Sequence, residues 1–202
     1  MARKPADQAV NRIDILSAAA EVFRRKGYHG AKMADIAAEV KLTAGSLYHH
    51  FPDGKQQILM AVLNDGLEQI TDNVRVIVND PALQPDVQLR RIVFEHILGL
   101  TQHVSIAAAL VFETRTLLND LDNTDARQRY LDARDKFELY FRQVVESGID
   151  KGMFYPVDVA IFTKTMLGAH NWVGVWYRDG GRLSGEEIAE EMAETFLRAL
   201  RR

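Results

Sequence analysis

The sequence predicts an all-α fold of about nine helices, and three observations lead there. Apolar residues recur at i and i+4 through most of the 202 residues, the period of helices with one buried stripe. No run alternates polar and apolar as a half-buried strand would, and no repeat or low-complexity segment interrupts the pattern. Breaks fall at proline and glycine clusters, among them Pro52-Asp53-Gly54, Gln84-Pro85 and Asp179-Gly180-Gly181, residues that stop helices. The expected organisation is a small three-helix unit over 1–55, followed by a larger helical unit over 56–202.

The first helix is expected over 11–26. Leu16, Ala19, Ala20 and Phe23 form its buried stripe, and Gly27 suits the position just past a helix end. Arg24, Arg25 and Lys26 complement that end of the helix dipole and need no other role. Ahead of it, Arg3 and Lys4 precede Pro5 in an arm that reads first as a solvated tail and second as a minor-groove probe. A second short helix carries Ile36, Ala37 and Val40 on one face, and a third runs over about 44–50. The fourth, from Lys55 to about Asn79, carries Ile58, Leu59, Val62, Leu63, Leu67, Ile70 and Val74. Later helices are expected over 87–103, 105–118, 125–151, 157–177 and 184–200, the last opened by a Ser184/Glu187 capping box.

The stretch from Met33 to Leu59 carries the chemistry. Thr43 supplies a side-chain oxygen to cap the third helix. Leu47 and Phe51 anchor that helix inward and leave Ala44, Gly45, Ser46, Tyr48 and His49 outside. Two short helices across a tight turn, the second with a small-residue N-terminus, form the helix-turn-helix pattern. Small residues admit the helix end to a major groove, where Ser46, Tyr48 and His49 are expected to meet phosphates or base edges. Lys55 opens the fourth helix, where a cation opposes the helix dipole, so its charge is expected to serve a nearby phosphate.

GSLYHHF followed by PDGK, with the ILSAAAEVF…GYHG run before it, closely resembles the signature of the TetR family of bacterial transcriptional regulators. The resemblance covers about the first third of the chain densely and implies a homodimeric, all-α regulator that binds double-stranded operator DNA. It also implies a phosphate contact by the Tyr48 hydroxyl. Two departures stand out. Where the family usually has a Thr at the start of the first short helix, this chain has Ala31 and Lys32, and the Lys32 charge is expected to replace the hydroxyl. Where the family usually has Gly in the turn, this chain has Lys41, which requires a non-glycine residue at positive φ.

Composition is that of a globular protein, 47% apolar and 26% charged. The absence of cysteine excludes disulfides, thiolate metal sites and a cysteine nucleophile. MARKPADQ lacks the apolar core of a signal peptide, and no run of about 18 apolar residues is present. No membrane partner is therefore expected, and the cytoplasm is the expected compartment. The net charge of −3 is unevenly divided, with nine Lys/Arg against six Asp/Glu in 1–55 and sixteen against twenty-two beyond. A basic end on an acidic body supports the DNA-binding reading.

In the body, no phosphate loop, nucleophile elbow or carboxylate pair points to an enzyme, and nothing calls for a cofactor. Glu95 and Glu113 read as salt-bridged or capping groups. A metal-responsive regulator is a remote alternative resting on His96, His103 and His170 with Glu113. The favoured reading is a small-molecule sensor. Phe94, Phe112, Phe137, Phe141, Phe162, Trp172 and Trp176 are spread over helices able to enclose a cavity, although an ordinary core accounts for most of them. Arg134 and Arg115 lie on mainly apolar helices and need an anion or carboxylate, with Glu113 the competing partner for Arg134. The expected ligand-binding residues are thus Arg134, Arg115, Phe94, Phe112, Trp172 and Trp176.

The run NWVGVWYRDGGRLSGEEIAEEMAETFLRAL, with DKGMFYP upstream, resembles TetR members that respond to acyl-CoA thioesters, including repressors of fatty-acid and sterol catabolism. That resemblance implies an acyl-CoA effector, and a generic apolar effector or drug is the alternative. Ile188, Met192, Phe196 and Leu200 form a stripe on the last helix, joined by Phe162 and Met166 from the one before. In TetR-like proteins these two helices pair with their symmetry mates, so the six residues are the expected dimer interface.

Overall fold

The computed structural model describes residues 10–120 and 124–201, except for the side chains of 114–124. Nine α-helices run through the described residues, with one isolated bridge between Phe154 and Arg201. The expected arm at Arg3 and Lys4 lies outside them.

Helix α1 (Arg12–Gly30) starts at Asn11, whose Oδ1 accepts from the Ile13 amide while its own amide donates to Asp14. Gly27, at φ 66°, breaks its helical path, a left-handed turn that a Cβ would strain. Helices α2 (Met33–Glu39) and α3 (Ala44–His50) follow, then α4 (Lys55–Val78). At 1.5 Å per residue α4 is about 36 Å long, enough to run from the N-terminal unit into the body.

The body comprises α5 (Pro85–Gln102), α6 (Val104–Asp120), α7 (Thr124–Asp150), α8 (Val159–Trp176) and α9 (Gly185–Leu200). The starts of α5 and α8 differ from expectation by two residues, each for a local reason. Pro85 occupies the first turn, where its missing N–H leaves nothing unsatisfied, so α5 begins at the proline. Asp158 accepts from the Ile161 amide at 2.9 Å and so fixes the start of α8.

Helix α9 packs along α5, and α6 lies against α1, α4 and α8. One core runs through both regions, from Ile15, Phe23 and Leu47 to Ile92, Phe141 and Leu197. The end of α9 is pinned by the Tyr155 amide, which donates to the Leu200 carbonyl at 2.7 Å.

Candidate DNA-reading end and effector cavity

The turn between α2 and α3 is closed by the Leu42 amide donating to the Ala37 carbonyl at 2.8 Å. Lys41 has φ 56° and is the single non-glycine residue at positive φ among those described. The lysine thus takes the left-handed conformation that the sequence requires there. Thr43 caps α3, its Oγ1 accepting from the Ser46 amide at 3.0 Å, and the two hydroxyls lie 2.9 Å apart. Leu47 and Phe51 are buried and hold α3 inward.

Gly45, Tyr48 and His49 are exposed, Ala44 and Ser46 are half-buried, and Lys32 is exposed at the start of α2. The Tyr48 ring lies over Gly54, where a Cβ would come within 3.3 Å of Cε1. Glycine there gives both the positive φ of 69° and the room for that ring. The outer sides of α2 and α3 therefore carry small residues, hydroxyls, an imidazole and a lysine.

Lys55 corrects the sequence reading. Its Nζ donates to the carbonyls of Tyr28 at 2.5 Å and Ala31 at 2.8 Å, and lies 4.3 Å from the centre of the Tyr28 ring. The charge is thus accounted for within the fold, where it binds carbonyls at the frayed end of α1. Burial lowers the Lys55 pKa from its ordinary value, with the Glu113 carboxylate acting the other way. Glu113 is itself buried and accepts from the Tyr28 amide at 3.0 Å, so it caps rather than pairs with Arg134. A second tie from α6 is Ser105, whose hydroxyl donates to Glu21 at 2.6 Å. Arg24 holds the same Glu21 carboxylate by two hydrogen bonds.

In the body, a cavity of about 280 Å³ opens among α4 to α8. Leu67, Ile70, Leu100, Leu110, Phe137 and Leu167 give it apolar walls, while His96 and Tyr130 add polar edges. Arg134, Asp135, Glu138 and Lys164 bring charge to the same cavity. Arg134 is exposed, and no carboxylate among the described residues forms an ion pair with it. Glu138 is engaged by Lys164 at 3.1 Å and by Arg142.

Of the six expected ligand residues, Arg134 alone borders this cavity among those whose side chains are described. The Arg115 side chain lies outside the described residues. Phe94 is half-buried against the core. Phe112 is 55% exposed beside α1, and Trp172 and Trp176 stand out on α8 at 55% and 48% exposure. None of these four aromatics lines the cavity; for Trp172 and Trp176 the reason is that α8 is apolar on several sides, so its sequence does not show which side packs inward. The sequence reading missed Tyr130 and Lys164 as cavity residues. Their only signal was position, since α7 and α8 place them facing α4 and α5.

The dimer expectation is corrected in part as well. Met166, Ile188 and Leu200 are buried inside the protomer, because the apolar stripe of α9 is used against α5. Phe162, Met192 and Phe196 are half-buried, with the rings of Phe162 and Phe196 edge to face at 6.1 Å. The apolar side chains left outward on α8 are Ile161, Trp172 and Trp176.

The histidines of the metal alternative do not converge. His103 is exposed, whereas His96 and His170 are buried and meet through their Nδ1 atoms at 3.2 Å. Among the described residues, no three His, Cys, Asp or Glu side chains form a metal-holding group.

Residues 15–62 match the family model "Bacterial regulatory proteins, tetR family", and residues 82–200 match "Tetracyclin repressor-like, C-terminal domain". The chain belongs to the TetR family. It is a helix-turn-helix transcriptional regulator rather than an enzyme. The transcriptional repressor KstR2 of Mycolicibacterium smegmatis is 28% identical over 190 residues, covering 93% of this chain and 89% of that protein. The structure of KstR2 of Mycobacterium tuberculosis superposes with a TM-score of 0.86 at 23% identity, over 98% of each chain, a likeness of fold. AibR, solved in complex with isovaleryl coenzyme A and operator DNA, has a TM-score of 0.76 and 27% identity over 91% of this chain and 96% of its own.

Proposed function

We propose that this TetR-family regulator is a homodimeric repressor that holds a pseudo-palindromic operator and is released by an effector in the α4–α8 cavity. One observation carries the reading: the cavity and the DNA-reading end share two helices. Leu67 and Ile70 of α4 line the cavity, and Lys55 at the start of the same helix holds the end of α1. Leu110 of α6 lines it too, and Glu113, three residues on, holds the Tyr28 amide. An effector that displaces either helix acts on the support of α2 and α3.

The walls favour an apolar ligand, and Arg134, which has no ion-pair partner among the described residues, favours an anionic part. An acyl-CoA thioester combines the two, and the AibR complex supports that class. A generic apolar effector is the second reading, supported by Leu67, Leu100 and Phe137 without help from the cations. Repression is supported by the similarity to KstR2, and the division at residue 55 by the start of α4. A cytoplasmic location is supported by action on operator DNA. The DNA contacts belong to Lys32, Thr43, Ala44, Gly45, Ser46, Tyr48 and His49, with Lys55 reassigned to the support of α1. A second copy covers Ile161, Trp172 and Trp176 on α8, together with the exposed parts of Phe162, Met192 and Phe196.

The test uses an operator selected from random duplexes and followed by fluorescence anisotropy. An effector must bind the DNA-incompetent state more tightly, because equal affinity shifts nothing. A coupling of about 1–3 kcal/mol weakens operator binding about 5–150-fold, and operator weakens effector binding by the same factor. Arg134→Ala is expected to keep operator affinity and lose release by acyl-CoA. Wild-type protein that holds its operator through millimolar acyl-CoA of every chain length and ring type overturns the thioester assignment.

A further inference from the structure

Two imidazoles meet in the core beside the cavity. His96 on α5 and His170 on α8 are both buried, with Nδ1 to Nδ1 at 3.2 Å and rings at 73°. Phe137 and Phe141 pack on His96, and Phe141 and Phe196 on His170. A contact of that length between two neutral rings requires one N–H and one lone pair. Burial lowers both pKa values, that of His96 to about 3 and that of His170 well below its ordinary value, so both rings are neutral near pH 7.

The other edge of each ring decides which of the two donates. His170 Nε2 is buried and has no hydrogen-bond partner among the described residues. A proton there would be an orphaned buried donor, the rarer fault; a bare lone pair is the more tolerable one. The proton of His170 is therefore on Nδ1 and donated to His96. His96, accepting at Nδ1, carries its own proton on Nε2. His96 also lines the cavity, and its Nδ1 edge is already used.

We propose that His96 is a specificity residue that donates from Nε2 to a carbonyl oxygen within the apolar part of the effector, with His170 as the positioning residue that fixes its tautomer. The inference rests on the effector reading above, since it concerns the same cavity. It adds a chemical class: an apolar body bearing an acceptor oxygen, separate from the anion that Arg134 meets. A purely hydrocarbon body leaves the His96 N–H unpaired on closing the cavity, which is the basis of the discrimination.

The probes are hexanoyl-, octanoyl- and decanoyl-CoA and the same chains with a keto group one carbon from the end. Binding to the full-length protein is measured by calorimetry. In wild type, the keto chain of at least one length is expected to bind about 2- to 12-fold more tightly than its plain counterpart, the range of one net hydrogen bond. His96→Phe is expected to abolish that preference, and Arg134→Ala to weaken both chains while keeping it. Nitrogen-15 spectra of histidine-labelled wild type give a readout that needs no variant. His96 is expected to be protonated on Nε2 alone, with that resonance shifting on binding the keto chain. Equal binding of plain and keto chains at every length overturns the role of His96 and leaves the effector reading standing. No binding of any thioester overturns both, and a His96 protonated on Nδ1 overturns the tautomer and the proposal with it.

Discussion

Replacing Lys55 by Met keeps most of the aliphatic stem and removes the ammonium. Two carbonyls, those of Tyr28 and Ala31, lose a charged donor, and the Tyr28 ring loses a cation 4.3 Å from its centre. Hydrogen bonds to a charged group contribute about 1.5–3 kcal/mol each, and a partly desolvated cation over a ring about 0.5–2 kcal/mol. Against this, the ammonium no longer bears the desolvation that lowers its pKa, and water reaches part of the vacated site. The net loss is about 2–4 kcal/mol, or a fall in Tm of roughly 4–16 °C for a chain of this size. Thermal unfolding is compared at one protomer concentration, because dimer stability depends on it. Operator binding is titrated against salt in parallel. A lysine bound to carbonyls leaves the salt slope as it was, whereas loss of one phosphate contact from each protomer of the dimer lowers it by about 1.8, or about 0.9 per contact. An unchanged Tm with a reduced slope refutes the assignment and restores the phosphate contact.

Three further outcomes are expected. The Glu21 carboxyl is held at about 2, chiefly by its hydrogen bonds from Arg24, with burial acting in the opposite sense and Ser105 adding to the fall. Because its folded pKa is depressed, its contribution is present above about pH 4.5 and is lost as the pH falls towards 2. Glu21→Gln should flatten that part of the melting-temperature profile, and identical acid profiles for both proteins count against the Glu21 linkage. A Cβ at Gly66 would lie 2.7 Å from Ile106 Cγ2, so Gly66→Ala wedges α4 from α6. It should cost about 1–3 kcal/mol and alter the effector concentration for half release, as anisotropy titrations would show. Trp172→Glu places a charge on the outward face of α8 and should yield monomers by sedimentation with folding intact. A stable dimer would remove that face from the interface.

The helices were legible because their ends are written locally. Gly27, Pro85 and the Ser184/Glu187 box act within a few residues of where they stand, and the stripe on α4 needs only its own period to be seen. The reading helix was legible for the same reason, since Thr43 caps it and Leu47 anchors it. The body was harder to read. Lys55 meets carbonyls 27 and 24 positions away, a partnership with no sequence signal, so its charge looked unaccounted for. Trp172 and Trp176 share a helix face with the spacing of a buried pair, yet they are exposed, because α8 turns Met166, His170 and Val173 inward instead. Of the expected α9 stripe, Ile188 and Leu200 are buried and Met192 and Phe196 half-buried, the inward face being completed by Ala189, Ala193 and Leu197. Which surface it would meet depended on how α5 lies, and no local pattern encodes that.

Gly66 has a counterpart on the other side of α6. A Cβ at Gly174 of α8 would lie 2.8 Å from the Cβ of Ala107, the neighbour of Ile106. Helix α6 thus meets bare backbone on both neighbours, through the stiff β-branched Ile106 side chain at Gly66 and through little more than its own backbone at Gly174, where the Ala107 carbonyl carbon lies 3.3 Å from the same point. Side chains take up small disturbances by changing rotamer, and backbones in close contact have no such play. A joint without play passes on a small push at full amplitude, and it lacks intermediate positions in which to rest. On the effector reading proposed above, such a joint steps from one seat to another in each molecule, and a graded response across a population reflects the fraction of molecules that have stepped. Tuning the sensor to a new ligand then falls to the walls of the cavity, where Leu167 or Phe137 can change size without loosening the joint.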